Sequence, residues 1–218
     1  SYFHLPGESF LVVPGGDNTK PVPISLTWEG LPSSWALANS FGAEEKVQRF
    51  TQSLDNLQHA VYVAGDFRLH KTEINARPVW VAMRGAWKFK DEDFTGEAFK
   101  LVAAQRAFWR DDDFPYFLIT LIPIGGECCT TGGTGLTNSF AAFMSPEQEL
   151  DAQVTHLLSH ELFHAWNGLK IDRQQPERLV YWFSEGVTDF YTYVLSLRAG
   201  LITLDDYIKA YNGTLRKY

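Results

Sequence analysis

The sequence predicts an α+β protein, with strands gathered in its N-terminal part and longer helices in its C-terminal part. Three observations carry this. Short β-branched and aromatic runs, punctuated by Pro and Gly, dominate to about residue 88. From Asp91 the apolar spacing changes to that of a helix. Two further helical stretches, ending near Asn167 and Gly200, carry the chain's most distinctive residues. The predicted division is therefore a β-rich domain over residues 1–88 and a helix-containing domain over 89–218.

Taken in order, Phe10-Leu11-Val12-Val13 and Val22–Trp28 read as short strands between Pro6-Gly7, Pro14-Gly15-Gly16 and Glu29-Gly30. Pro32–Phe41 reads as loop or edge strand. Val61–Leu69 and Pro78–Gly85 look like two more strands. Phe94, Phe99, Leu101, Val102, Ala104 and Phe108 mark a helix from Asp91 to about Arg110, its acidic first turn matched to the helix dipole. Asp111-Asp112-Asp113 reads as a solvated linker, since consecutive carboxylates diverge and repel. Phe114–Ile124 is a buried strand. Gly125-Gly126 and Thr130–Gly133 form a flexible glycine-rich loop that lacks the Gly-Lys-Ser/Thr ending of a phosphate loop. Ser145-Pro146-Glu147-Gln148 signals a helix start, with Ser145 as cap. Thr203–Asp206 opens a last helix.

Composition narrows the function classes. The 218 residues are 45% apolar and 15% aromatic, enough for a sizeable core, and the net charge is -7. No basic cluster appears, which argues against nucleic acid as a partner. The longest strongly apolar run, Phe117–Ile124, is far short of the roughly 18 residues of a membrane helix. The opening Ser1-Tyr2-Phe3 has no initiator Met and no leader pattern, so we expect a processed product or a piece of a larger protein. The adjacent Cys128 and Cys129 are expected to be reduced or buried thiols, because neighbours suit disulfide geometry poorly. Compartment (periplasmic, secreted or cytoplasmic) and oligomeric state are not legible.

Chemistry concentrates in Ser159-His160-Glu161-Leu162-Phe163-His164. On a helix, His160 and His164 lie on one face and can aim both imidazoles at one point. Zinc takes imidazole nitrogens at about 2.0–2.1 Å and, in catalytic sites, leaves one position open for water. Glu161, offset by about 100° on the helix, would reach that water as general base. A third protein ligand is needed, and Glu185 in Trp182-Phe183-Ser184-Glu185-Gly186 supplies one, with Ser184 expected to cap its helix. Asp189, four residues on, suits the task of accepting the second N–H of a ligating histidine. His156 continues the same helix face, but it stands about 12 Å from His164 along the axis and cannot share one zinc with both others.

These motifs resemble the gluzincin metallopeptidases, and within them the glycyl aminopeptidase family. The likeness lies in His160–Asn167, Lys170, Trp182–Gly186 and Thr188–Tyr191, with a weaker echo in Leu54–Leu57 and Val63–Phe67. It implies a β-rich N-terminal domain followed by a thermolysin-like zincin catalytic domain, truncated here, holding one zinc ion through His160, His164 and Glu185. It also implies a peptide substrate, bound beside Gly132, Gly133, Thr134 and Gly135 and along an edge strand at Ser139–Phe143. Family members carry a Gly-Gly-x-Glu-His segment whose Glu is thought to hold the free amino terminus. Gly135 and Leu136 occupy those last two positions here, which removes the anchor expected of an exopeptidase. For the oxyanion, the family uses a later Tyr or His; Tyr181, Tyr191, Tyr193, Tyr207 and Tyr211 are present, and none is singled out. Two functions follow as expectations. One is a zinc-dependent peptidase; the other is a non-catalytic peptide-binding module that retains its zinc site.

Overall fold

The computed structural model describes residues 1–125, 130–171 and 176–216. Cys128 and Cys129 lie outside them. The chain forms two compact units: one of residues 1–86, 113–123 and 134–143, the other of 87–112, 124–133 and 144–218. The expected cut at residue 88 thus gives way to a division in which two later segments join the first unit. The reason is sheet pairing, described next.

Strands of the first unit are β1 (Tyr2–Pro6), β2 (Val22–Thr27), β3 (Ala36–Asn39), β4 (Gly42–Ala43), β5 (Val47–Gln52), β6 (Val61–Gly65), β7 (Arg68–Ile74) and β8 (Arg77–Met83). They are joined by β9 (Phe117–Pro123), by the second half of β10 (Thr131–Leu136) and by most of β11 (Ser139–Met144). A short helix, α1 (Leu54–Gln58), is capped by Ser53, whose side chain accepts from Asn56 N. The sheets have the orders β1-β6-β3-β4, β2-β5 and β10-β11-β9-β8-β7. β9 pairs parallel with β8, Val79 facing Phe117. Parallel neighbours need a long connection, and the residues between them contain a whole helix. That pairing draws 113–123 into the first unit. Ala38, Val61, Val63, Phe67, Ala82, Leu118 and Ile122 form its apolar core.

Several expectations change here. Phe10–Val13 is not a strand: a 3-10 turn at Gly7–Ser9 precedes it and the backbone there pairs with no strand. Val61–Leu69 divides into β6 and β7 because the backbone turns at Gly65, whose φ of +148° favours glycine; a β-carbon there would stand 2.6 Å from Tyr2 Cβ. Thr131–Leu136 is a strand rather than a flexible loop, and it takes the sheet edge that Ser139–Phe143 was expected to hold. Ser139–Met144 lies inside the sheet, so strand addition there is ruled out. Glycines hid β10, since they lack the branched side chains by which strands are recognised.

The second unit contains α2 (Asp91–Trp109), α3 (Ala152–Phe163), α4 (Thr188–Arg198) and α5 (Leu204–Leu215). Arg110 closes α2 in the left-handed conformation at φ +51°. α5 opens with a complete capping box between Thr203 and Asp206. α3 starts later than Ser145 predicts. Ser145–Gln148 is a turn closed by Gln148 N donating to Ser145 O, and the true cap is Asp151, which accepts from Gln153 N and Val154 N. Val154, Leu158, Leu162 and Phe163 are buried on α3, and Gln105 of α2 donates to Ser159 O and Oγ at 2.7 and 3.0 Å. Phe163 also stacks on Tyr191 of α4 at 5.8 Å. The H-E-x-x-H helix is thereby clamped on two sides. No helix among the described residues is long and apolar enough to cross a membrane.

Candidate metal centre

His160 lies in the last turn of α3 and His164 is its C-cap residue, still in the right-handed helical conformation. Their rings are 4.6 Å apart, with the two Nε2 atoms 3.0 Å from each other. Glu185 Oε2 lies 3.2 Å from His160 Nε2 and 3.5 Å from His164 Nε2. Tetrahedral bonds of about 2.0–2.1 Å would hold ligand atoms about 3.3–3.4 Å apart. The three observed separations bracket that figure, so the donor set fits zinc.

The other ring nitrogens fix the tautomers. His160 Nδ1 donates to Asp189 Oδ1 at 2.9 Å, and His164 Nδ1 donates to the Asn167 carbonyl at 3.0 Å. A carbonyl and an ionised carboxylate can only accept, so each Nδ1 carries its proton, and each ring in its neutral form turns an Nε2 lone pair inward. With both rings neutral, two lone pairs and a carboxylate oxygen converge on one point, a donor set that could hold a cation.

Glu185 reaches the centre from a π-helix, Trp182–Val187, that runs directly into α4. Ser184 is not a cap. The backbone is already helical at Tyr181, and the Ser184 hydroxyl donates back to Tyr181 O. Tertiary bonding accounts for the difference. The Asn167 amide donates to Phe183 O and Ser184 O, both at 3.2 Å, and to Thr188 Oγ1 at 3.0 Å, while Thr188 Oγ1 donates to Ser184 O at 2.5 Å. A wide turn of this kind is common at functional positions.

Asp189 is shared. Beside His160 it also meets His156 Nε2 at 3.3 Å, and His156 stacks on Tyr193 at 4.4 Å. Although burial alone would raise the Asp189 carboxyl, the two histidines hold it well below the usual range. Burial of His160 works against its charged form, yet the Asp189 hydrogen bond and three nearby carboxylates raise it overall. Burial, the largest influence on Glu161, raises that carboxyl, His160 opposes this, and Glu185 adds to it. Glu161 packs on Gly133 of β10, where a β-carbon would stand 2.5 Å from Glu161 Cγ. Gly132, Thr134 and Gly135 continue that strand. Among the tyrosines, Tyr191 packs in the Phe163 cluster and Tyr207 and Tyr211 stack on each other along α5.

Sequence reasoning missed three links: Asn167 to the π-helix, His156 to Asp189, and Asp111, read as linker, which accepts from Trp166 Nε1 at 2.8 Å and pairs with Lys170. For Asn167 and Lys170 the signal was present in their place just after the histidine motif.

Residues 153–218 match the M61 glycyl aminopeptidase family. The resemblance read from the two helix motifs is borne out over that stretch. By structure, the chain is similar to an aminopeptidase N family protein from Idiomarina loihiensis, with TM-score 0.75 and 19% identity over 95% of this chain. An M1 zinc metallopeptidase from Deinococcus radiodurans is similar at TM-score 0.50 and 11% identity over 90% of the chain. These likenesses show the fold, and with it the α+β class. The chain spans 39% of the first protein and 44% of the second. No curated protein matches it.

Proposed function

We propose that this chain carries the zinc centre of a peptidase, with His160, His164 and Glu185 as ligands and Glu161 as general base. The supporting observation is the convergence of the two inward Nε2 lone pairs and the Glu185 carboxylate at 3.0–3.5 Å. When bound, zinc would lower the pKa of a water and polarise the scissile carbonyl. Everything else falls to the protein. Asp189 and the Asn167 carbonyl hold the two imidazoles in their ligating tautomer. Glu161 accepts a proton from the attacking water as its oxygen bonds to the carbonyl carbon. As the C–N bond breaks, Glu161 returns that proton to the leaving nitrogen. Its raised pKa suits the second half of this cycle, because a more basic carboxylate holds the proton until the amine departs. Gly133, lacking a side chain, leaves room for that carboxylate.

The substrate is a peptide, and Gly135 in place of the family's amine-anchoring Glu makes a free amino terminus dispensable. Cleavage of a peptide mixture by the metal-loaded protein tests the reading. Activity should vanish with chelator, return with zinc, and be lost in Glu161→Gln. A zinc-loaded protein that binds peptides without cutting them would favour the non-catalytic alternative. Matched free and N-acetylated peptides should be cut at similar rates; a strict need for the free amine would contradict that part.

A further inference from the structure

We infer that Asn167 is the residue that couples the second zinc ligand to the third, so that His164 and Glu185 are set in place together. The inference rests on the zinc reading above. Asn167 stands at the crossing of two chains of hydrogen bonds. Its backbone carbonyl accepts from His164 Nδ1 at 3.0 Å. Its side-chain amide donates to Phe183 O, Ser184 O and Thr188 Oγ1 at 3.0–3.2 Å, on the two sides of Glu185 in sequence. Asn167 is 2% exposed, so these bonds form away from competing water.

The π-helix is what makes this coupling consequential. A wide turn forms i→i+5 bonds in place of the tighter α pattern and is rarely favoured by local sequence alone. Here the carbonyls of Phe183 and Ser184 gain side-chain donors, from Asn167 and, for Ser184, also from Thr188. Glu185 sits inside this turn. If the Asn167 amide is removed, Phe183 O and Ser184 O lose a buried donor, and the turn can relax toward an ordinary α-helix. A one-residue change of pitch rotates Glu185 by tens of degrees about the helix axis. Its carboxylate then leaves the point where the two imidazoles converge. The two halves of Asn167 act differently: substitution can delete its amide, while its carbonyl to His164 remains in any residue. Asn167 is therefore a positioning residue that acts chiefly through Glu185. His160, held by Asp189, is independent of it.

A double-mutant cycle on zinc affinity tests this, using competition against a chromophoric chelator. The wild-type chain must first take up one zinc; if it takes none, the metal reading itself fails. Given that uptake, Asn167→Ala should weaken zinc binding roughly ten- to a hundred-fold, the range seen for residues that orient ligands. Asn167→Asp should weaken it as well, since it keeps the shape but turns an acceptor toward two carbonyls. In a Glu185→Gln background the effect of Asn167→Ala should largely disappear, whereas in an Asp189→Asn background it should persist in full. Should Asn167→Ala fail to fold, Thr188→Val, which deletes the hydroxyl shared by Asn167 and Ser184, supplies the same cycle. Wild-type zinc affinity in the folded variants, or an effect equally large with and without the Glu185 carboxylate, overturns the inference.

Discussion

Glu161 lies against Gly133 with no space for a β-carbon between them: one built there would stand 2.5 Å from Glu161 Cγ and 2.9 Å from Oε1. In Gly133→Ala the Glu161 side chain must therefore move. Displacement of a reacting group by about 1 Å can cost on the order of a hundred-fold in rate. We expect kcat on a peptide substrate to fall by roughly that factor while bound zinc stays stoichiometric, read by peptide cleavage and metal analysis on one sample. Unchanged kcat would show that Glu161 tolerates the move and would count against its role as base.

The Asp189 carboxylate accepts from His160 Nδ1 and is itself shared with His156. Asp189→Asn can still accept a hydrogen bond but removes the charge. Zinc affinity should drop roughly ten- to a hundred-fold, measured by chelator competition. His156→Ala, which touches Asp189 but supplies no ligand, should weaken zinc less than Asp189→Asn. A larger loss in His156→Ala would mean that His156 itself binds the ion.

Support behind the H-E-x-x-H helix is also testable. Gln105 is fully buried, and its amide bonds both the carbonyl and the hydroxyl of Ser159, the residue before His160. Gln105→Ala leaves those groups without their donor and should cost about 1–3 kcal/mol. A urea midpoint comparison at fixed pH would detect this. Loss near zero would imply that α2 and α3 repack freely.

His4 belongs to the first unit and reports on it. Burial pushes its pKa down to about 4, against a smaller upward push from a backbone hydrogen bond, and Nε2 lies 3.0 Å from Thr120 Oγ1. Below the unfolded value of 6.5 the unfolded chain takes up a proton that the folded chain refuses. Its contribution is thus intact above that value and is lost as pH falls from 6.5 towards about 4, with no further loss below. His4→Gln should flatten stability across this window relative to wild type, in paired urea titrations. Parallel curves for the two proteins would contradict the assignment of this slope to His4.

The sequence made the centre legible where function constrains spacing. Histidines four apart on a helix must share a face, and Glu185 with Asp189 follows the same rule, so all four could be named and are found together. What could not be read were features set by distant partners. The π-turn depends on the Asn167 amide crossing from another segment, which local propensity does not encode. The Ser145 start signal was overridden because Asp151 offered a better-placed cap with two acceptor bonds. β10 escaped notice because Gly132, Gly133 and Gly135 carry no strand-forming side chains, and at Gly133 a side chain would collide with Glu161. Segment 113–123 joined the first unit through its parallel pairing with β8, a long-range choice invisible in any window of sequence.

The central claim is that His160, His164 and Glu185 together hold one zinc ion. Calorimetric titration of the chelator-stripped chain with zinc at neutral pH addresses it directly, in parallel with Glu185→Gln. The account predicts one ion per chain in the wild type and a clear loss of affinity in the variant. No uptake by a folded wild-type chain, or equal affinity with and without the Glu185 carboxylate, would contradict it.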